Sequence, residues 1–136
     1  AAEATGVAAR ALEVARAYAL EREQFGAPIG SFQAVKHLLA DMYLRVELAR
    51  SSTYAAAAML DHDVADDPRV AAAKLLACDA ALTNASTAVQ VLGGMGFTWD
   101  MLPNYLVKRA WVLEESFGTV DEMALRVADG VREGVR

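Results

Sequence analysis

Cysteine occurs once in these 136 residues, as Cys78, histidine twice and proline three times. A lone thiol excludes a disulfide framework and fits a reducing compartment, so the cytoplasm is the expected location. His37 and His62 lie far apart in sequence, and neither has a His or Cys three or four positions away. No metal site is expected from that spacing. Basic residues are outnumbered 13 to 18, for a net charge of −5. That balance argues against nucleic acid or an anionic membrane as partner, since both want clustered Lys and Arg. No uncharged apolar stretch approaches the ~18 residues of a membrane span. Ala1–Arg10 shows neither a basic n-region nor an apolar h-region, so no signal peptide is read. The chain also opens without methionine, inside a helical pattern, and a processed or excised fragment is expected.

What is present is apolar and helical. Hydrophobic residues make up 55% of the chain, enough for the core of one domain over residues 1–136. No strand run is visible, and alanine, the strongest helix former, is abundant. A first helix is expected from about Glu3 to Glu23, with Val7, Ala11, Val14 and Tyr18 on one face. Gln24–Gly30 holds two glycines and Pro28, and breaks it. Ser31 is the expected N-cap of a long second helix reaching about Asp61. Val35, Leu38, Leu39, Met42 and Val46 form its stripe, while Leu44 and Leu48 lie off it and imply packing on more than one side. An acidic turn over Asp63–Pro68 offers Asp67 as N-cap and Pro68 as first residue of a third helix, to about Leu92. There Leu75, Leu82 and Val89 recur every seventh position. Gly93-Gly94-Met95-Gly96 stops that helix. A fourth is expected over Leu102–Ser116, with Leu102, Leu106, Ala110 and Leu113 on its apolar face. Thr119-Val120-Asp121-Glu122 has the form of a capping box and opens a fifth. The expected fold is all-α, an antiparallel up-and-down bundle of four to five helices.

Chemistry has few places to reside. Cys78 sits among alanines and leucines as a small buried hydrophobe, with no histidine to activate it. Asp61-His62-Asp63 reads as a solvated charge cluster. Three glycine-bearing breaks remain, at Arg22–Gly26, Gln90–Gly96 and Phe117–Thr119. Glycine at a helix end is ordinary punctuation. Two in succession also let backbone approach a flat or phosphorylated ligand, since neither carries a Cβ.

Taken in order, these breaks have a pattern. Arg22, Phe25, Gly26, Ile29, Phe32 and Gln33 come first, then Gln90, Gly93, Gly94 and Gly96, then Gly118-Thr119. The series resembles the C-terminal helical domain of the acyl-CoA dehydrogenase family over nearly the whole chain. The resemblance implies α,β-dehydrogenation of an acyl-CoA thioester, with FAD as hydride acceptor. It also implies a homo-oligomer (dimer or tetramer), or a mixed oligomer with a related chain, in which this domain reaches the FAD of a neighbouring subunit. Arg22 would then pair with the pyrophosphate. Phe25 would pack near the adenosine, and Gln33 would hydrogen-bond the cofactor. Gln90, Gly93 and Gly94 would bring backbone close to it. Thr119, at a helix start, would either meet an anion or serve as a cap alone.

One departure bears on catalysis. Many family members carry the catalytic glutamate just before the Gly-Thr pair, and this chain has Phe117 there. Phenylalanine accepts no proton. Glu115 is the nearest alternative, rotated by two residues to another helix face, where a solvated or salt-bridged role is the default. The base then comes from sequence upstream of Ala1, or the chain is a non-catalytic partner in a mixed oligomer. A cofactor-free helical interaction module is the remaining reading. Lys108-Arg109 departs from the usual Arg-Asp order, and Asp121 stands where glutamine is frequent.

Overall fold

The computed structural model describes residues 1–62 and 67–134; the first part of the expected acidic turn, 63–66, lies outside them. Five α-helices carry the fold: α1 (Ala2–Glu21), α2 (Gln33–Leu60), α3 (Pro68–Leu92), α4 (Leu102–Glu115) and α5 (Val120–Gly134). The expected all-helical class and the long antiparallel pair α2 and α3 are both present.

The core is built from alanine. On α1 the buried positions are Ala4, Thr5, Val7, Ala8, Ala11, Ala15 and Ala19. On α3 they include Ala73, Ala77, Cys78, Ala80, Ala81, Asn84, Ala85 and Ala88. Leu75, Leu82 and Val89, which recur every seventh position, are half-buried beside these alanines. Short side chains let helix axes approach to the lower end of the usual 8–10 Å, so alanine faces mate while larger residues flank them. The same rotation leaves Val14 and Tyr18 half-buried on α1.

Residues 4–8 of α1 cluster with 77–81 of α3, and Ala11 and Ala15 with Ala85 and Ala88, so these two helices run parallel. Met42 joins the second cluster and Val46 and Ala49 the first, which sets α2 antiparallel to both. α3 passes through the middle and touches every other helix. By length and composition it is apolar enough to cross a membrane, unlike the expectation above, yet its apolar face is spent on its neighbours.

Helices α1 to α4 alternate up and down as expected, and α5 is added beyond them. Lys74 of α3 meets the Gly118 carbonyl just before α5, and a Cβ on Gly130 would stand 2.4 Å from Pro68 Cγ. α5 therefore continues along α3 in the direction of α4, and the two occupy one side of it in succession.

Three local features also differ from expectation. α1 ends at Glu21, and a two-residue antiparallel pair, β1 (Glu23–Gln24) and β2 (Ala27–Pro28), follows it. Strands this short show no alternation for a sequence to reveal. Ser31 is not the N-cap of α2: its hydroxyl donates to the Pro28 carbonyl at 2.7 Å within a single 3-10 turn, and Phe32 takes the cap position. Leu44 and Leu48 are exposed, at 67% and 52%, where packing on a second side was expected. Asp67 does cap α3, accepting from the Arg69 N–H at 2.8 Å, with Pro68 in the first turn.

Candidate functional site

The parallel course of α1 and α3 sorts the sequence-predicted residues into two groups, at opposite ends of the bundle. Arg22, Phe25 and Gln33 lie at the α1–α2 junction; Gln90, Gly93 and Gly94 lie at the C-terminal end of α3, on the same side. Phe117 and Thr119 lie at the other end. At ~1.5 Å per residue, roughly 24 Å of helix separate Lys74 from Gln90.

At the first end the backbone is tied down while side chains are left outward. The Arg22 N–H donates to the Tyr18 carbonyl at 2.9 Å, and its own carbonyl accepts from Ile29 at 2.7 Å. Its side chain is exposed. Ion pairs among the described residues involve Arg10, Arg50, Arg69, Arg109 and Arg132 rather than Arg22. Phe25 and Gly26 join β1 to β2 with φ of 54° and 78°, the two positive values of a tight hairpin. A phenylalanine there is disfavoured by about 1–2 kcal/mol, yet Phe25 is 94% exposed and meets only Phe32 edge-on, 6.1 Å between centroids. Backbone strain that supports no internal packing is characteristic of a ligand or partner contact.

The glycines after α3 divide the work. A Cβ on Gly93 or Gly94 would meet nothing within 4 Å, so a ligand has open access to that backbone. A Cβ on Gly96 would lie 2.7 Å from the Val89 carbonyl oxygen, so this third glycine serves packing.

The second end holds an open cleft of about 710 Å³ among α2, α3 and α5. Phe117, Lys74, Met123 and Arg126 line it; Glu115 does not. Glu115 is exposed at the last position of α4, as its register implies. Thr119 and Glu122 form the expected capping box. Asp121 stands exposed in the first turn of α5, where a negative charge suits the helix dipole.

Sequence reasoning passed over Lys74. Its ammonium donates to the carbonyls of Glu114 (3.4 Å), Ser116 and Gly118. Backbone acceptors leave no trace in a sequence, so no motif announced it. The Lys108-Arg109 pair also finds its reason here. Lys108 Nζ sits 3.3 Å over the Trp99 ring, and Arg109 Nε donates to Glu3 at 2.6 Å, pinning α4 to α1.

Comparison with known proteins decides the lineage. Residues 1–131 match the family model described as acyl-CoA dehydrogenase, C-terminal domain. The chain belongs to the acyl-CoA dehydrogenase family. It is 45% identical to acyl-CoA dehydrogenase FadE34 of Mycobacterium tuberculosis, across 100% of this chain and 19% of that one. Butyryl-CoA dehydrogenase from Megasphaera elsdenii superposes with a TM-score of 0.92 at 31% identity, over 96% of this chain and 34% of that one. PigA, solved as an FAD complex, superposes at 0.88 with 30% identity, over 94% of this chain and 33% of that one. The chain thus spans from about a fifth to about a third of these relatives' length, the part that is their C-terminal helical domain. In this acyl-CoA dehydrogenase domain, Phe117 lines the cleft with a side chain that accepts no proton.

Proposed function

We propose that this chain is the C-terminal domain of a flavin-dependent acyl-CoA dehydrogenase, contributing FAD-binding and oligomer contacts to α,β-dehydrogenation of an acyl-CoA thioester. One observation carries the proposal: the ligand-type residues fall into two groups at opposite ends of the bundle. One flavin on one chain does not engage both, whereas an oligomer engages each with a different flavin. Arg22, Phe25, Gln33, Gln90, Gly93 and Gly94 would serve a neighbour's FAD. Thr119 and the Phe117 cleft would face the chain's own.

The residues suit that cofactor. Arg22 supplies an exposed guanidinium fork for a pyrophosphate, Phe25 an exposed ring for adenine, and Gly93-Gly94 an open backbone. FAD, when bound, supplies the hydride acceptor. Thr119 accepts from the Glu122 N–H and keeps its own hydroxyl proton to donate. Exposed Leu44 and Leu48 favour a dimer or tetramer, because they leave apolar surface that the described residues cover only in part. A cytoplasmic setting belongs to the same reading, on the strength of a single buried thiol.

Phe117 supports a second reading, a non-catalytic partner chain in a mixed oligomer. The full-length protein decides between them. Anaerobic bleaching of the bound flavin by an acyl-CoA series in the protein purified alone is expected for the first. Bleaching only when a related chain is co-expressed is expected for the second. A full-length protein that retains no flavin in either form would overturn both.

A further inference from the structure

The loop between α4 and α5 is held far more firmly than a surface connection needs. Phe117 has φ of 59° and Gly118 of 97°, a reversal that a phenylalanine resists. The Phe117 side chain is 99% exposed and contributes no packing to justify this conformation. The restraint comes from around it. On the far side Thr119 and Glu122 exchange hydrogen bonds, fixing the start of α5. Beneath, buried Met123 closes on Gly118, where a Cβ would stand 2.8 Å from Met123 Cε. On the near side Lys74 reaches from the middle of the cleft wall to the carbonyls of Glu114, Ser116 and Gly118.

The lysine is used unusually. An ammonium has three donors and no acceptor, and here all three fall on main-chain oxygens of one short segment. No carboxylate pairs with it among the described residues. The two carbonyls it draws together, of Ser116 and Gly118, flank residue 117 on either side. Turning both inward toward Lys74 turns the intervening side chain outward, into the mouth of the cleft.

We propose that Lys74 is a positioning residue that sets where the side chain of residue 117 stands, acting through the Ser116 and Gly118 carbonyls. Its importance for turnover rests on the reading of this cleft as part of an acyl-CoA dehydrogenase site; the clamp itself does not. With the clamp in place Phe117 offers the substrate a fixed apolar wall. Without it the αL conformation relaxes and the wall moves.

The test uses the full-length protein with 4-fluorophenylalanine placed at position 117. One sharp ¹⁹F resonance is expected in the parent. Lys74→Met should shift and broaden it, and Lys74→Arg, which keeps charge and donors, should largely restore it. Where flavin and turnover are present, kcat/KM should fall about tenfold to a hundredfold in Lys74→Met, the scale of a misplaced wall. A ¹⁹F resonance unmoved in Lys74→Met, with only a lower Tm, would overturn the proposal and leave Lys74 a plain helix-end support. Should Lys74→Met not fold, reductive methylation of the native parent takes its place. Lys74 should react at least about tenfold more slowly than exposed Lys36, since all its donors are engaged. Equal rates would overturn the clamp. A parent without bound flavin would overturn only the dehydrogenase reading, because neither the fluorine signal nor the methylation rate needs the cofactor.

Discussion

Thr119 and Glu122 cap one another: the Thr119 N–H donates to Glu122 Oε2 at 2.9 Å, and the Glu122 N–H donates to Thr119 Oγ1 at 3.2 Å. One hydroxyl therefore holds α5 and still has a proton to give. Serine at 119 preserves both uses, and valine, equal in shape, loses both. Thr119→Val should lower stability by about 1 kcal/mol in denaturant melts and weaken flavin retention in the full-length protein. Thr119→Ser should change neither. Normal retention in Thr119→Val would confine this residue to capping.

Asn84 is fully buried where α1, α2 and α3 meet. Its amide donates to the Ala8 carbonyl at 3.3 Å and the Met42 carbonyl at 3.0 Å, while its Oδ1 has no partner among the described residues. The gain from two hydrogen bonds is offset by one stranded acceptor. Asn84→Leu removes the stranded acceptor but adds bulk to an alanine-lined site, and should cost about 1–3 kcal/mol. Asn84→Asp should cost more than about 3 kcal/mol at neutral pH, because it sets an unpaired carboxylate beside two carbonyl oxygens. That loss should shrink in acid as the carboxylate protonates. Chemical denaturation at pH 7 and pH 4 reads both effects.

Hydrogen bonds from the Arg69 side chain and backbone hold the Asp67 carboxyl at a pKa of about 2, below the ordinary 3.8. A depressed carboxylate stabilises the fold above the unfolded value and loses that contribution as pH falls through the folded one. The window is thus pH 4 down to 2. Asn caps helices as well as Asp does, so Asp67→Asn isolates the charge from the cap. The variant should melt below the parent at pH 7, and the gap should close by pH 2. A gap independent of pH would assign the effect to the cap alone.

Much of this molecule was legible because some residues act only locally. Asp67-Pro68 and Thr119–Glu122 each carry their helix start in a few adjacent positions, and both were read correctly. The α3 core was not legible, because Ala73, Ala77, Ala81 and Ala88 signal burial only once a neighbouring helix is known. The α1–α2 hairpin was missed because two-residue strands have no period. Arg22, Phe25 and the double glycine were found through a family pattern. Lys74 and the separation of the site into two ends needed the fold, since both depend on which residues distant in sequence are brought together.

Burial at 3% exposure raises the Cys78 thiol above its ordinary pKa, and Lys74 nearby opposes this only in part. The reactive thiolate is scarce in the native state. Native protein should resist a thiol reagent at pH 8 while the denatured chain reacts promptly. Rapid native labelling would mean that α3 opens away from α4.

Arg22 stands where α1 ends, with both its backbone groups engaged and its side chain exposed. A cation at a helix C-terminus contributes ~0.3–1 kcal/mol by itself. A guanidinium gripping a pyrophosphate across a subunit boundary contributes more, since charge-assisted hydrogen bonds contribute ~1.5–3 kcal/mol, roughly ten- to a hundredfold in affinity. The two roles separate in the full-length protein. Arg22→Ala should weaken FAD retention by that factor while unfolding of the apo form barely moves. Arg22→Lys should restore retention only in part, because an ammonium lacks the paired planar donors. If the contact reaches a neighbour's cofactor as proposed, flavin loss should also loosen the oligomer, and sedimentation of Arg22→Ala should show smaller species as FAD departs. Flavin occupancy unchanged in Arg22→Ala would reduce this arginine to a helix-end charge and remove the pyrophosphate contact from the first end of the bundle.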